Sequence, residues 1–169
     1  MLPAAGPGHV RLADVLPSQI LALRGERNPL GLPRARRGVL VVVDGLGAAN
    51  LAARAGHART LATGPRRGIV SGFPTTTAAA LTSLYTGTAP GAHGIVGYDA
   101  LVPGFGVRNQ LRDWGGAMDP ETWQRSAPLL ASVPSAVVNE PRYADSGFTR
   151  ATLRGARYLA ARSIDDRID

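Results

Sequence analysis

The feature that most constrains the fold of this chain is a run of five apolar residues, Val39 to Val43, followed directly by Asp44. Four of the five are valines, whose β-branched side chains favour extended strands over helices. A continuous apolar run, unlike an alternating one, is typical of a strand that is covered on both faces. We therefore predict a buried strand over residues 38–44.

Helical and extended patterns alternate along the rest of the chain. We expect helices over residues 14–23, 46–55, 78–85, 120–130 and 149–161. We expect further strands over residues 68–72 and 135–139, and a hairpin over residues 98–111. This alternation predicts an α/β fold, a three-layer sandwich with a mainly parallel sheet. The prolines and glycines before residue 38 predict an N-terminal arm, a short helix and a linker over residues 1–37.

The composition excludes several classes of protein. The 169 residues include no cysteine, which excludes a disulfide scaffold, a thiolate metal site and a catalytic thiol. The longest apolar run is far shorter than the roughly 20 residues of a membrane helix. Since the N-terminus also lacks the pattern of a secretory signal, we expect a cytoplasmic protein with no membrane contact.

The charge of the chain is strongly positive, at +7, and all 19 basic residues are arginine. The arginines are scattered, apart from a cluster at Arg34, Arg36 and Arg37 inside the linker. No aromatic residues alternate with this cluster, as they would on a nucleic-acid surface. We therefore favour a solvated basic linker over a site for nucleic acid.

Two segments carry candidate chemistry. Asp44 ends the predicted buried strand, at the sheet edge where ligands bind in open α/β folds. Its carboxylate would either hold a divalent metal or cap the helix that follows. Thr75, Thr76 and Thr77 lie where a turn enters the next helix. A hydroxyl there could attack a phosphate bound at the helix N-terminus, or the threonines could merely cap the helix.

The other motifs are weaker. The three histidines, His9, His57 and His93, are not paired at metal-ligand spacings, and we expect His93 to order its own loop by hydrogen bonding. Gly45-Leu46-Gly47 lacks the third glycine of a dinucleotide-binding fingerprint, and the chain contains no Walker A or Gly-x-Ser-x-Gly sequence.

Three segments in the same order resemble motifs of the alkaline phosphatase superfamily. They are Val39 to Gly47, with Asp44 inside it, Phe73 to Gly87, with Thr77 inside it, and Pro90 to Tyr98. The branch that they resemble is the type I phosphodiesterase/nucleotide pyrophosphatase family. The resemblance covers roughly residues 38 to 162 and therefore implies an alkaline phosphatase-like fold.

The resemblance implies a role for three residues. Asp44 matches an aspartate that binds metal, and Thr77 matches the nucleophile, which also binds metal. The backbone N–H of Ala78 matches a donor to the phosphoryl group. The family uses two divalent metal ions, with zinc the expected metal, and forms a phospho-threonine intermediate. The implied substrate is a small phosphate ester or a nucleotide, cleaved at a phosphodiester or pyrophosphate bond.

One departure from the family limits these expectations. The family completes its metal sites with later Asp and His residues, whereas no histidine follows His93 here. We therefore expect residues 38–169 to be the N-terminal part of a catalytic domain that is incomplete at its C-terminal side and inactive by itself. The alternative is a catalytically inactive short relative that binds phosphate compounds or a protein partner. The sequence predicts no oligomeric state.

Overall fold

The structure is a computed structural model and describes residues 9–168. Residues 1–8 of the predicted N-terminal arm, and Asp169, lie outside the described residues. The helices are α1 (Val15–Arg24), α2 (Ala48–Ala53), α3 (Arg59–Thr63), α4 (Thr77–Thr86), α5 (Pro90–His93), α6 (Pro120–Trp123), α7 (Gly147–Leu153) and α8 (Asp165–Ile168). The strands are β1 (Asp99–Val102), β2 (Gly106–Asn109), β3 (Ala136–Asn139) and β4 (Arg157–Ala160). Short 3₁₀ turns occur at Leu12–Asp14, Ala55–His57, Leu129–Ser132 and Pro141–Tyr143.

The strands of the described residues form two separate pairs. Strands β1 and β2 are an antiparallel hairpin in which Asp99 lies opposite Asn109. Strands β3 and β4 are parallel, with Ala136 opposite Arg157. The predicted α/β character is confirmed, as is the hairpin. A single, mainly parallel sheet between two helical layers is not confirmed, because residues 9–168 hold only these two-stranded sheets.

The buried strand predicted over residues 38–44 is wrong. Residues 38–43, here called the valine segment, belong to no strand, and their backbone makes no hydrogen bond to other described backbone groups. Val39 is 85% exposed and Val41 is 77% exposed, and only Leu40 packs against the core. A strand forms its hydrogen bonds with a neighbouring strand, and neither sheet lies beside this segment. The strand predicted over residues 68–72 is likewise reduced to one bridge, between Val70 and Arg11.

The core is formed by helices rather than by a sheet. Its buried cluster contains five aliphatic side chains from α1, α4, α7 and the 3₁₀ turn after α6: Leu16, Ile20, Leu84, Leu130 and Leu153. Helix α4 contacts α1, α5 and α7. It ends at Gly87, which has a positive φ of 69° and where a Cβ would lie 2.9 Å from Pro17. Glycine is therefore required at the position that ends α4 against α1.

The predicted helices are confirmed in part. Helix α1 lies one residue beyond the predicted 14–23, and the prediction over 46–55 shortens to α2. The prediction over 149–161 is wrong in its second half, because Gly155 turns the chain with a φ of +94° and β4 follows. The prediction over 120–130 fails after Trp123, with Pro128 preceding a separate 3₁₀ turn.

Candidate active site

Three side chains from distant parts of the sequence meet at the start of α4. Thr77 Oγ1 lies 2.9 Å from Asp44 Oδ2. The same Thr77 oxygen lies 3.0 Å from the hydroxyl oxygen of Tyr98. Asp44 follows the valine segment, Thr77 begins α4, and Tyr98 directly precedes β1. The structure therefore brings together Asp44 and Thr77, the two side chains that the sequence singled out, and adds a tyrosine.

The chemistry of the three groups fixes the direction of both hydrogen bonds. An ionised carboxylate only accepts, so the Thr77 hydroxyl donates its one proton to Asp44. The bond to Tyr98 must then be donated by the tyrosine hydroxyl, with Thr77 Oγ1 as the acceptor. The hydrogen bonds run from Tyr98 through Thr77 to Asp44.

Two of the three neighbouring threonines, Thr76 and Thr77, have different surroundings. Thr76 is the N-cap residue of α4, and its Oγ1 accepts a hydrogen bond from the Ala79 N–H at 3.4 Å. Thr77, the first helical residue, points its half-buried hydroxyl at Asp44 and Tyr98. Capping thus accounts for Thr76 and leaves Thr77 free for chemistry. The distinction rests on side-chain direction, which the sequence of three identical residues does not specify.

The start of α4 also offers backbone donors. Ala78 and Ala79 have no exposed surface, so the first turn of the helix is held firmly against its neighbours. Among the described residues, the N–H groups of Thr77 and Ala78 have no hydrogen-bond acceptor. Unpaired N–H groups at the positive end of a helix favour a bound anion. Ala78 is nevertheless fully covered by protein in this structure, and its predicted contact with phosphate stays a prediction.

Asp44 is placed by a turn rather than by the end of a strand. Gly45 follows it with a φ of +76°, and its carbonyl oxygen accepts a hydrogen bond from the Asn50 side chain at 3.3 Å. Helix α2 has Gly47 as its N-cap residue, with no side-chain cap. The alternative in which Asp44 caps this helix is therefore wrong. The exposed Asp44 carboxylate can therefore accept a hydrogen bond from Thr77 or bind a cation.

A buried histidine connects α4 to the segment that carries Tyr98. His93 has no exposed surface, and its Nε2 lies 3.0 Å from Ser83 Oγ in α4. Its Nδ1 accepts a hydrogen bond from the Ile95 N–H at 3.1 Å, so Nε2 carries the proton. Burial lowers the pKa of His93 to about 4, which keeps the ring neutral. His93 orders its loop, as the sequence predicted, and holds Ile95 three residues before Tyr98.

The candidate metal ligands among the described side chains are few. Asp44 and Thr77 offer two oxygen atoms 2.9 Å apart, whereas zinc takes three or four protein ligands. Within residues 9–168 no group of three or more His, Cys, Asp or Glu side chains could hold a metal ion. The described residues thus do not form a metal site by themselves, and metal binding by Asp44 and Thr77 stays a prediction.

Tyr98 is the residue of this group that the sequence analysis did not select. It ends the third resembling motif, and that position is the only sequence signal that could have found it. Its hydroxyl reaches Thr77 because the chain turns back after α5, and its backbone carbonyl accepts a hydrogen bond from the Gln110 N–H beyond the hairpin.

In the part of the chain described here, every helix is too short or too polar to cross a lipid bilayer.

Comparison with known proteins gives one result. Residues 38–155 match the model of a family described as type I phosphodiesterase / nucleotide pyrophosphatase. The searches of curated proteins and of solved structures returned no match. The matched range includes Asp44, Thr77 and Tyr98 and spans well over half of the sequence. The chain therefore belongs to the type I phosphodiesterase / nucleotide pyrophosphatase family.

Proposed function

We propose that this chain carries the nucleophile of a metal-dependent enzyme that hydrolyses phosphodiester or nucleotide pyrophosphate bonds. The observation that carries the proposal is the hydrogen bond between Thr77 and Asp44, two residues that lie 33 positions apart in the sequence. A neutral hydroxyl is a weak nucleophile, and a carboxylate or a bound cation beside it makes it a better one. Membership of the family supports hydrolase chemistry of this kind.

The reaction consists of two displacements at phosphorus. In the first, Thr77 Oγ1 bonds to phosphorus, its proton passes to Asp44, and the bond from phosphorus to the leaving oxygen breaks, with the leaving oxygen taking a proton from solvent. In the second, water attacks the phospho-threonine and gives up a proton to solvent, the bond between phosphorus and Thr77 breaks, and Asp44 returns its proton to Thr77 Oγ1. The N–H of Ala78 donates to a phosphoryl oxygen in both steps.

Asp44 and Thr77 are the residues of this chain that would hold a metal. Two divalent ions, zinc by resemblance to the family, would supply positive charge at the attacking and leaving oxygens. The remaining ligands would come from outside residues 9–168, and the chain by itself would turn over slowly or not at all. The fold proposed for the active enzyme is a three-layer sandwich in which the valine segment pairs with neighbouring strands. The proposed location is the cytoplasm.

The test compares this chain with the longest polypeptide that its gene encodes in the same frame. Both are incubated with Zn²⁺ and bis(4-nitrophenyl) phosphate, and the release of nitrophenolate is followed. We expect hydrolysis by the longest in-frame product and about a thousandfold or greater loss in Thr77→Ala, as for removal of other catalytic nucleophiles. Thr75→Ala, which changes a neighbouring threonine, is the matched control and should retain activity.

Two outcomes would contradict the proposal, and each contradicts a different part of it. If Thr77→Ala remains as active as the unmodified protein, Thr77 is not the nucleophile. If the longest in-frame product releases no nitrophenolate but binds inorganic phosphate, the inactive phosphate-binding relative is the better description.

A further inference from the structure

We propose that a small cavity between α7 and the parallel strands β3 and β4 binds a phosphate ion. The cavity has a volume of about 140 Å³. Its polar lining consists of Thr149, Arg150, Arg154 and Tyr158, and the rest of its wall is aliphatic. No lining residue belongs to the candidate active site, so the proposal does not depend on the proposed function.

The charge of the lining is positive and is not balanced by a carboxylate. Arg150 lies in α7 and Arg154 follows the last residue of that helix, and no described Asp or Glu lines the cavity. Within residues 9–168 neither guanidinium has an ion-pair partner, whereas Glu140 is paired with Arg142 at 2.6 Å and with Arg167 at 3.7 Å. Like charges four positions apart on a helix repel each other. A phosphate dianion beside both arginines would remove that repulsion.

Arg154 lacks a partner that its burial requires. Its Nη1 atom is covered from solvent and has no hydrogen-bond acceptor in the part of the chain that the structure describes. Buried polar groups are nearly always paired, because an unpaired one has lost its hydrogen bonds to water without a replacement. A phosphate oxygen in the cavity that Arg154 lines would supply the missing acceptor.

The hydroxyl of Thr149 provides a further donor. Its Oγ1 accepts a hydrogen bond from Ser146 Oγ at 3.0 Å, and Ser146 Oγ accepts one from the Thr149 N–H at 3.1 Å. The hydroxyl proton of Thr149 therefore has no acceptor among the described residues. The Tyr158 hydroxyl, in contrast, donates to the Glu140 carbonyl at 2.6 Å. Two guanidinium groups and one hydroxyl thus offer donors to an anion.

The size and the walls of the cavity limit what it can hold. Pockets for drug-sized ligands usually enclose about 300–1,000 Å³, at least twice the volume of this cavity. The cavity therefore suits a phosphate ion rather than a whole nucleotide. Aliphatic side chains such as Val137 and Leu153 form the rest of the wall. They lower the local dielectric constant, which strengthens the attraction between an anion and the arginines.

The test is an NMR titration of this chain with inorganic phosphate at neutral pH and constant ionic strength. The amide signals of Thr149 and Ala156 report binding in the cavity, so that phosphate bound near Thr77 is not counted. We expect saturable shifts that are half complete at about 1 mM phosphate or below, as two charged hydrogen bonds would give. Acetate should bind at least about tenfold more weakly, since it carries one charge and fewer oxygen atoms.

Two variants locate the interaction. Arg154→Gln should weaken phosphate binding about tenfold to a hundredfold, as for the loss of a charged hydrogen bond. Arg157→Gln is the matched control, because it removes the same charge from an exposed arginine in β4 that does not line the cavity. It should bind phosphate as tightly as the unmodified chain. If Arg154→Gln does not fold, Arg150→Gln replaces it, since Arg150 is exposed and its loss should leave the fold intact.

Four results would overturn the inference. The absence of a saturable shift at Thr149 and Ala156 would show that the cavity binds no phosphate. Unchanged binding in Arg154→Gln or in its replacement would place the phosphate elsewhere on the chain. Equal weakening in Arg157→Gln would mean that binding follows the net charge of the protein. Acetate bound as tightly as phosphate would show that the cavity does not select phosphate.

Discussion

Asp44 and Thr77 meet at one site, yet the two segments that deliver them are packed in opposite ways. Helix α4, which begins at Thr77, buries most of its residues, with Leu84 only 2% exposed. The valine segment, which ends one residue before Asp44, leaves Val41 77% exposed although it is the more apolar of the two. Thr77 is therefore held by an element that packs in the core, whereas Asp44 follows a segment that makes few packing contacts.

The contrast follows from how helices and strands satisfy their backbone. Helix α4 forms its hydrogen bonds within itself, so neighbouring helices need only cover its side chains. A strand requires a second strand for every one of its hydrogen bonds, and residues 9–168 provide none beside the valine segment. Hydrophobicity alone therefore does not bury a segment of β-branched residues.

Hydrogen exchange should show the largest difference between the two regions. We expect the amides of residues 39–43 to exchange close to the rate of an unfolded chain, because they make no backbone hydrogen bond to described residues. The amides of residues 81–86 in α4 should exchange at least about a thousandfold more slowly, because their exchange requires unfolding of the core. Mass spectrometry of peptides from both regions measures the two exchange rates. Equal protection would mean that the valine segment is paired in solution.

Truncation of one side chain in each region should give the next largest effect. Leu84→Ala should lower the free energy of unfolding by about 2–5 kcal/mol, because it leaves a cavity among the side chains of the core cluster. Val41→Ala should change it by less than about 0.5 kcal/mol, since this side chain is mostly in solvent. Urea denaturation followed by circular dichroism measures both values. A cost for Val41→Ala as large as that for Leu84→Ala would contradict the exposed segment described here.

A third expected effect is a pH dependence confined to the packed region. His93 has its ordinary pKa of 6.5 in the unfolded chain and a pKa of about 4 when buried, so between these values the unfolded state binds more protons. Stability should fall as the pH is lowered from about 6.5 to about 4 and be independent of His93 above that range. Thermal melts of the unmodified chain and of His93→Gln measure it.

The His93→Gln variant is the control in that experiment. It cannot titrate, so its stability should depend less on pH than that of the unmodified protein over the same range, whatever its stability at neutral pH. Identical pH dependence in the two proteins would show that His93 is not buried as a neutral ring.

Local signals in the sequence were sufficient for some elements and misleading for others. The helix predicted over residues 78–85 is confirmed as α4, which ends at Gly87, and residues 103–105 connect the two strands of the predicted hairpin. The helix predicted beyond Leu153 fails at Gly155, whose positive φ turns the chain towards the parallel pairing of β4 with β3. Pairing with a strand that is distant in the sequence leaves no trace in local periodicity.

The residues of the candidate site were likewise predicted from the sequence only in part. Asp44, Thr77 and Ala78 were selected from motifs, and the structure places the first two within hydrogen-bonding distance. Their assigned roles in catalysis and metal binding remain predictions. Tyr98 was missed, because its only sequence signal was its place at the end of the third motif, which does not name Thr77 as its partner. The different surroundings of Thr76 and Thr77 followed only from the direction of their side chains.

The sequence by itself determined the end of α4 at Gly87, the exclusion of cysteine chemistry, and the motifs that identify the family. These depend on the residues themselves and on neighbours within a few positions. Only the tertiary structure decided that Tyr98 donates to Thr77 and that the valine segment is exposed. Both depend on which distant segments come into contact, because a hydrogen bond or a buried surface requires a partner that the local sequence does not name.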